Sequence, residues 1–188
     1  MKTQKIILAA FLMLFVVVKI TAQESKYFTT DGVAEFFSEA PLENIEARNE
    51  KVQSIIDLSK GDVVISIPIN GFVFEKSLMQ EHFNENYMES EKFPKAEFQG
   101  IFTSATPIKA SRNGTYEVEV KGNLTIHGVS KPLTTKGIIK VDKNTLIATT
   151  TFFVKVADHK IEIPRIAFKN IAEEVKVTVE MKYLPFKS

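Results

Sequence analysis

The chain has 188 residues, 44% of them apolar and 25% charged, with a formal net charge of +1, a balance ordinary for one globular domain. Charges of both signs are mixed along it and no basic block appears, which argues against a nucleic-acid partner. It has no cysteine, which excludes disulfides, Cys-ligated zinc, iron–sulfur clusters and thiol catalysis. Its 15 phenylalanines against no tryptophan predict a core of aliphatic and benzyl side chains.

Lys2 and Lys5 open the chain, Ile6 to Val18 are almost wholly apolar, and Thr21-Ala22 precede Gln23. This is the layout of a cleavable export signal, with cleavage expected after Ala22 and a single domain over 23–188. The apolar run is short for a membrane span, and Lys19 closes it. With no cysteine after the run, a thioether lipid anchor is excluded. Removing Lys2, Lys5 and Lys19 leaves 21 basic against 23 acidic residues, a charge of −2. The mature protein is expected to be exported, periplasmic or secreted.

Alternation with a period of two dominates the rest of the chain. Shorter runs come first: Val33 to Ser38, Asn44 to Arg48 and Gln53 to Leu58. Asp62 to Ile69 then aligns Val63, Ile65, Ile67 and Ile69 on one face. Ala96 to Ser104 is a further short run. Thr115 to His127 sets Tyr116, Val118, Val120, Leu124 and Ile126 against Glu117, Glu119, Lys121, Asn123 and Thr125. After a weaker run at Lys131 to Val141, Leu146 to Val156 aligns Leu146, Ala148, Phe152, Val154 and Val156. The clearest case is last: Val175, Val177, Val179, Met181 and Tyr183 oppose Glu174, Lys176, Thr178, Glu180 and Lys182.

Turn chemistry at Ser59-Lys60-Gly61, Arg112-Asn113-Gly114 and Asp142-Lys143-Asn144 separates neighbouring runs. Eight or nine strands with short connections predict an all-β, antiparallel sheet, closed into a barrel or folded into a sandwich. Closure removes the edges that invite aggregation.

One stretch breaks the alternation. In EKSLMQEHFNENYMESEKFP, residues 75–94, Met79, Phe83 and Tyr87 recur every four residues, with Leu78 and His82 on the same side. This predicts a short amphipathic helix of about three turns, ended by Phe93-Pro94. A second irregular stretch, Ala157 to Lys169, contains Pro164.

Catalytic signatures are few. There is no nucleophile elbow, zinc-protease helix, phosphate loop or glycine fingerprint. His82, His127 and His159 lie far apart in sequence and lack partners at ligand spacing, so no metal site is expected. Asp158-His159 without a marked serine reads as a solvated loop pair rather than half of a triad. The inward positions carry almost no charge, which suits either a hydrocarbon ligand in a lumen or a solid core. The pattern alone leaves both open.

Gly122 to Pro132, GNLTIHGVSKP, resembles the signature of the YceI-like family: a glycine, then Leu-Thr-x-His-Gly, a small residue, Thr or Ser, Lys and Pro. Met79, His82 and Phe83, then Phe93-Pro94 and Ala96-x-Phe98, resemble that family's helix and following strand. Phe37 to Ala47, FSEAPLENIEA, is similar to the opening strand pair of its Bacteroidetes-type members. One departure is at the C-terminal side, where many members carry Asp-(Phe or Tyr)-Gly-Ile and this chain has Asp158-His159-Lys160-Ile161.

The resemblance implies an extended lipocalin-like antiparallel β-barrel of about eight strands, with one short amphipathic helix covering or flanking it. It implies an exported protein, not an enzyme, that encloses a polyisoprenoid such as an isoprenoid-quinone or prenyl-lipid tail, for carriage or storage. No catalytic residue, metal or cofactor is implied beyond that lipid. By strand and helix parity, the expected contacts are Ile65, Ile67, Met79, His82, Phe83, Tyr87, Phe98, Phe102, Val118, Leu124, Phe152, Val177 and Met181. His82 is positioned to bond either a ligand head group or a neighbouring carbonyl. Transient membrane contact and pairing of two barrels are compatible with this reading. The alternatives are a solid-core interaction barrel and an enzyme acting on an isoprenoid lipid through a histidine.

Overall fold

The computed structural model describes residues 25–40, 42–163 and 171–186. The export signal expected over residues 1–22 lies outside them, as does Pro164. Among the described residues, nine strands run in chain order: β1 Lys26–Glu39, β2 Asn44–Asp57, β3 Asp62–Pro68, β4 Val73–Phe74, β5 Lys95–Ser104, β6 Gly114–Ile126, β7 Val129–Asp142, β8 Thr145–Lys155 and β9 Glu174–Pro185. Every pairing is antiparallel. The order β1-β9-β8-β7-β6-β5-β3-β2 closes through β1–β2, so eight strands form a barrel and the two-residue β4 adds to β2. Among the described residues no helix is long and apolar enough to cross a membrane.

Long β6, β8 and β9 follow their predicted parity: Val118, Leu124, Leu146, Val154, Val179, Met181 and Tyr183 are all buried. β1 and β2 are each 14 residues long, well beyond the short runs their alternation shows. Bulges explain the difference. The register jumps from Thr29↔Ser54 to Gly32↔Val52 and then to Ala34↔Asn49. Each jump inserts one extra residue and exchanges inner and outer faces, so the period-two signal of a continuous strand reads as two fragments. Asn49, fully buried, holds one bulge: its amide donates to the Pro68 carbonyl (2.7 Å) and accepts from the Lys51 N–H (2.8 Å).

The core divides along the barrel axis. At one end, Tyr27, Ile56, Val63, Phe102, Val118, Ile139, Val141, Leu146, Met181 and Tyr183 fill the lumen. The β5–β6 connection tucks Ala110 into the same cluster. Tyr183, 1% exposed, meets the Ser54 hydroxyl at 2.7 Å, satisfying a polar tip inside an apolar core. Towards the barrel's middle, Gly100 and Gly122 face each other across β5 and β6. A Cβ at either position would lie within 3 Å of the Phe98 ring and of opposing backbone; the glycines leave the space that Phe98 fills.

A longer connection is an excursion between β3 and β5. A 3-10 turn, Ile69–Gly71, leads to β4 and then to α1, Ser77–His82. A π-helical turn, Phe83–Tyr87, continues it. The predicted helix is therefore present, but half of it is wound wider than an α-helix. A spacing of four lies between the 3.6 residues of an α-turn and the wider π-turn, so Phe83 and Tyr87 stay on the barrel side. Leu78 does not share that side: it is 60% exposed. Glu89, at φ 42°, stops the helix ahead of Pro94.

Candidate functional site

At the end opposite the packed core, the inner face of the barrel lines a partly open cavity of about 390 Å³. β1 supplies Ala34, Phe36 and Ser38, and β2 supplies Ile45. β3 and the turn after it supply Ile67 and Ile69; β6 supplies Leu124 and Ile126. Phe152 and Val154 come from β8, and Val175 and Val177 from β9. The register makes this wall continuous, since Val177 pairs with both Phe36 and Phe152. Met79, His82, Phe83, Tyr87 and Met88 of the helical excursion form the cover.

Phe36, Phe72, Phe74 and Phe83 gather on one side of the cavity. Their ring centroids lie 5.0–5.6 Å apart in five pairs, within the range of favourable aromatic contact. Phe83 touches the other three, which fastens the cover to β1 and β4. Polar groups in the lining are few: Ser38, Glu43, His82 and the Tyr87 phenol. Two are already engaged, because Ser38 accepts the Ala172 N–H (2.8 Å) and Glu43 pairs with Lys76. His82 is exposed, and its imidazole makes no hydrogen bond to a described residue. Such a lining offers apolar contact with almost no fixed polar readout, which suits a hydrocarbon chain and gives no purchase on a charged solute.

Of the parity-derived residues, Ile67, Met79, His82, Phe83, Tyr87, Leu124, Phe152 and Val177 line this cavity. Ile65, Phe98, Phe102, Val118 and Met181 point inward but belong to the packed cluster, so the structure does not bring them to the cavity wall. Parity finds the face of a strand, not the level along it. Phe36, Ile45, Phe72, Phe74, Met88, Val154 and Val175 line the cavity and were not among the expected contacts. Val154 and Val175 were legible as inward alternation, whereas Phe36 and Ile45 lie on strands whose parity the bulges break.

The histidines also differ from expectation. His159 is not a solvated loop residue: it is 4% exposed, and its Nδ1 bonds the Val129 carbonyl at 3.0 Å. Distant in sequence, His127 and His159 are neighbours in space, His127 Nδ1 lying 3.2 Å from the His159 carbonyl. Among the described residues, no group of three or more His, Asp or Glu side chains is arranged to hold a metal ion.

The model of one family, the YceI-like domain, matches residues 20–183. No curated protein matches the sequence. Among solved structures, a polyisoprenoid binding domain from Saccharophagus degradans, implicated in plant cell wall breakdown, superposes with a TM-score of 0.71 at 15% identity, over 86% of this chain and 99% of that one. Burkholderia cenocepacia BcnA gives 0.66 at 16% identity, over 80% and 95%. A Campylobacter jejuni YCEI protein gives 0.55 at 15% identity, over 74% and 84%. At such identities the likeness is one of fold. Lys160, in the stretch Asp158-His159-Lys160-Ile161, has a left-handed backbone, φ 57°. With its family model spanning nearly the whole described barrel, the chain belongs to the YceI-like domain family.

Proposed function

We propose that this protein is an exported carrier or reservoir that encloses the isoprenoid tail of a lipid, an isoprenoid quinone or a prenyl lipid, in the cavity beneath its helical cover. The observation that carries this reading is the cavity itself: about 390 Å³, apolar on nearly every side, in a barrel whose other end is solid. Burying a methylene is worth about 0.8 kcal/mol, so each five-carbon isoprene unit offers roughly 3–4 kcal/mol as an upper bound. Micromolar affinity needs about 8 kcal/mol, within reach of a few units after ordering costs. The Saccharophagus domain, described as polyisoprenoid binding, supports the same ligand class. Binding rather than catalysis is favoured by a lining with so few titratable groups.

The leader-like residues 1–22 support export. Leu42, Val73 and Leu78, 60–68% exposed, lie on segments joined by the Glu43–Lys76 ion pair and the β2–β4 pairing. They form a candidate rim for transient contact with a bilayer, from which a water-insoluble tail enters without crossing water.

The deciding experiment is solvent extraction of the natively purified mature protein, with mass spectrometry of what comes off. A stoichiometric prenyl lipid or quinone supports the reading and names the ligand. An empty protein that gains no thermal stability from added prenyl lipids rejects it.

A further inference from the structure

The structural role of the Leu-Thr-Ile-His-Gly block is visible at its histidine. β6 ends at Ile126 and β7 begins at Val129, so His127-Gly128 is a two-residue hairpin turn. Both residues have positive φ, 50° and 70°, the geometry that usually selects Asn-Gly. Histidine at the first position therefore needs a reason beyond the turn. Its imidazole is spanned by two acceptors: Nε2 lies 2.8 Å from a Glu89 carboxylate oxygen and Nδ1 lies 3.2 Å from the His159 carbonyl. Glu89 is the residue that stops the helical cover. His159 closes the 3-10 turn after β8 and bonds back to Val129 on the far side of the same hairpin.

Apolar contacts follow the same line. Phe93, on the return from the cover to β5, packs edge-on to the His127 ring at 4.5 Å between centroids. A Cβ at Gly128 would lie 2.5 Å from that phenyl ring, so the glycine makes room for it. Each linked residue also neighbours the cavity wall: Met88 precedes Glu89, Ile126 precedes His127, and Ile161 follows His159 by two. Three of the described non-glycine residues with positive φ, Glu89, His127 and Lys160, meet here. Left-handed backbone is disfavoured for such residues, and several at one place mark a conformation held by its surroundings. The charged groups facing His127 are Glu89, directly, and Lys92, whose ammonium lies 3.8 Å from the same carboxylate and over the Phe93 ring.

We propose that His127 is a latch: its bond to Glu89 holds the C-terminal end of the helical cover, beyond Phe83, over the cavity mouth, and breaking it opens that end. The rest of the cover is held independently, by Lys76 on Glu43, by the Phe74 N–H on Gln80 and by Phe83 against Phe36, Phe72 and Phe74, so the cover swings at its C-terminal end rather than detaches. Where the cavity takes a lipid, which rests on the function proposed above, latch opening sets the rate of lipid exchange while the packed end of the barrel stays fixed.

His127→Asn separates latch from turn. Asn-Gly is the favoured sequence for this hairpin, yet the shorter side chain falls short of Glu89. Hydrogen-exchange mass spectrometry of the lipid-free protein is expected to show peptides across residues 83–93 exchanging roughly five- to tenfold faster in His127→Asn, with β7, β8 and β9 unchanged. Glu89→Gln, which keeps the shape and removes the charge, is expected to give a smaller acceleration of the same peptides. Unchanged protection of residues 83–93 in His127→Asn overturns the latch. So does acceleration spread equally over the barrel, which would make His127 a general stability residue.

Release of a fluorescent geranylgeraniol analogue, measured by stopped flow, is then expected to quicken several-fold in His127→Asn. A wild-type protein that never takes up the probe, yet whose cover loosens in the variant, keeps the latch and rejects the lipid reading. Probe uptake with an unaltered cover does the reverse.

Discussion

The two ends of this barrel are built from the same strands with the same alternation, yet one is solid and the other hollow. Around Tyr27, Leu146, Met181 and Tyr183, side chains are at most 2% exposed, and the β5–β6 connection buries Ala110 among them. Around Phe36, Ile67, Phe152 and Val177 the inward side chains are only partly buried and a cavity separates them. The cover at that end is a helical segment in which neither the α-turn nor the π-turn has a fully buried residue. Close packing and open cavity therefore fall at different ends of one sheet. The packed end holds the barrel closed, which leaves the hollow end free to remain unfilled.

Truncation tests this division most sharply. Leu146→Ala, at a fully buried position, is expected to cost about 2–5 kcal/mol in urea denaturation. Phe152→Ala, on the cavity wall, is expected to cost clearly less, since its ring already borders open space. Equal costs would break the comparison.

Enlarging a side chain reverses the assignment. Val118→Trp, in the packed cluster, is expected to lose about 1–3 kcal/mol or more through overpacking. Val177→Trp fills the cavity instead, so thermal denaturation should barely move while uptake of a prenyl alcohol falls. Uptake that survives Val177→Trp in full would place the ligand elsewhere.

A smaller effect concerns Tyr183. Burial holds its phenol well above the usual tyrosine range, and the Ser54 hydroxyl offsets this in part. The folded chain thus keeps a proton that the unfolded chain releases near pH ~10. Stability from this group is complete below about pH 10 and is lost as pH rises further. Tyr183→Phe should cost about 0.5–1.5 kcal/mol at neutral pH and flatten the alkaline arm of a pH–stability curve. A variant as alkali-sensitive as the wild type would exclude Tyr183 as its source.

The smallest expected effect has the opposite sign. Lys160 is a non-glycine residue at φ 57°, so Lys160→Gly is expected to stabilise by about 1 kcal/mol or less, relief of left-handed strain being offset by added freedom in the unfolded chain. A loss of stability would mean that the Lys160 side chain contributes contacts at the mouth.

The all-β class, the antiparallel pairing and the faces of the longer strands were legible in the sequence because period-two alternation is a local consequence of strand geometry; closure into a barrel rather than a sandwich was not, and the runs at Asn44 to Arg48 and Gln53 to Leu58 proved to be one strand. Also legible was the helical cover, whose spacing of four differs from everything around it. The same logic picked out Ile67, Leu124, Phe152 and Val177 as inward, and the structure sets them on the cavity wall. It equally picked out Val118, Phe102 and Met181, which face inward at the solid end. Nothing in alternation distinguishes the two.

On the strands without bulges, the order of residues alone therefore sets which way each side chain points, since that follows from its neighbours on one strand. At what height it sits, and what it meets there, is settled only when the barrel closes. Height depends on the register between strands, on bulges at Thr29–Gly32 and Asn49–Val52 that reverse parity, and on fillers such as Phe98 over the Gly100–Gly122 pair. The link between His127 and Glu89, 38 positions apart, is likewise a product of chain closure. No local pattern carries it, because the two residues become neighbours only when the excursion after β3 folds back across the end of the barrel.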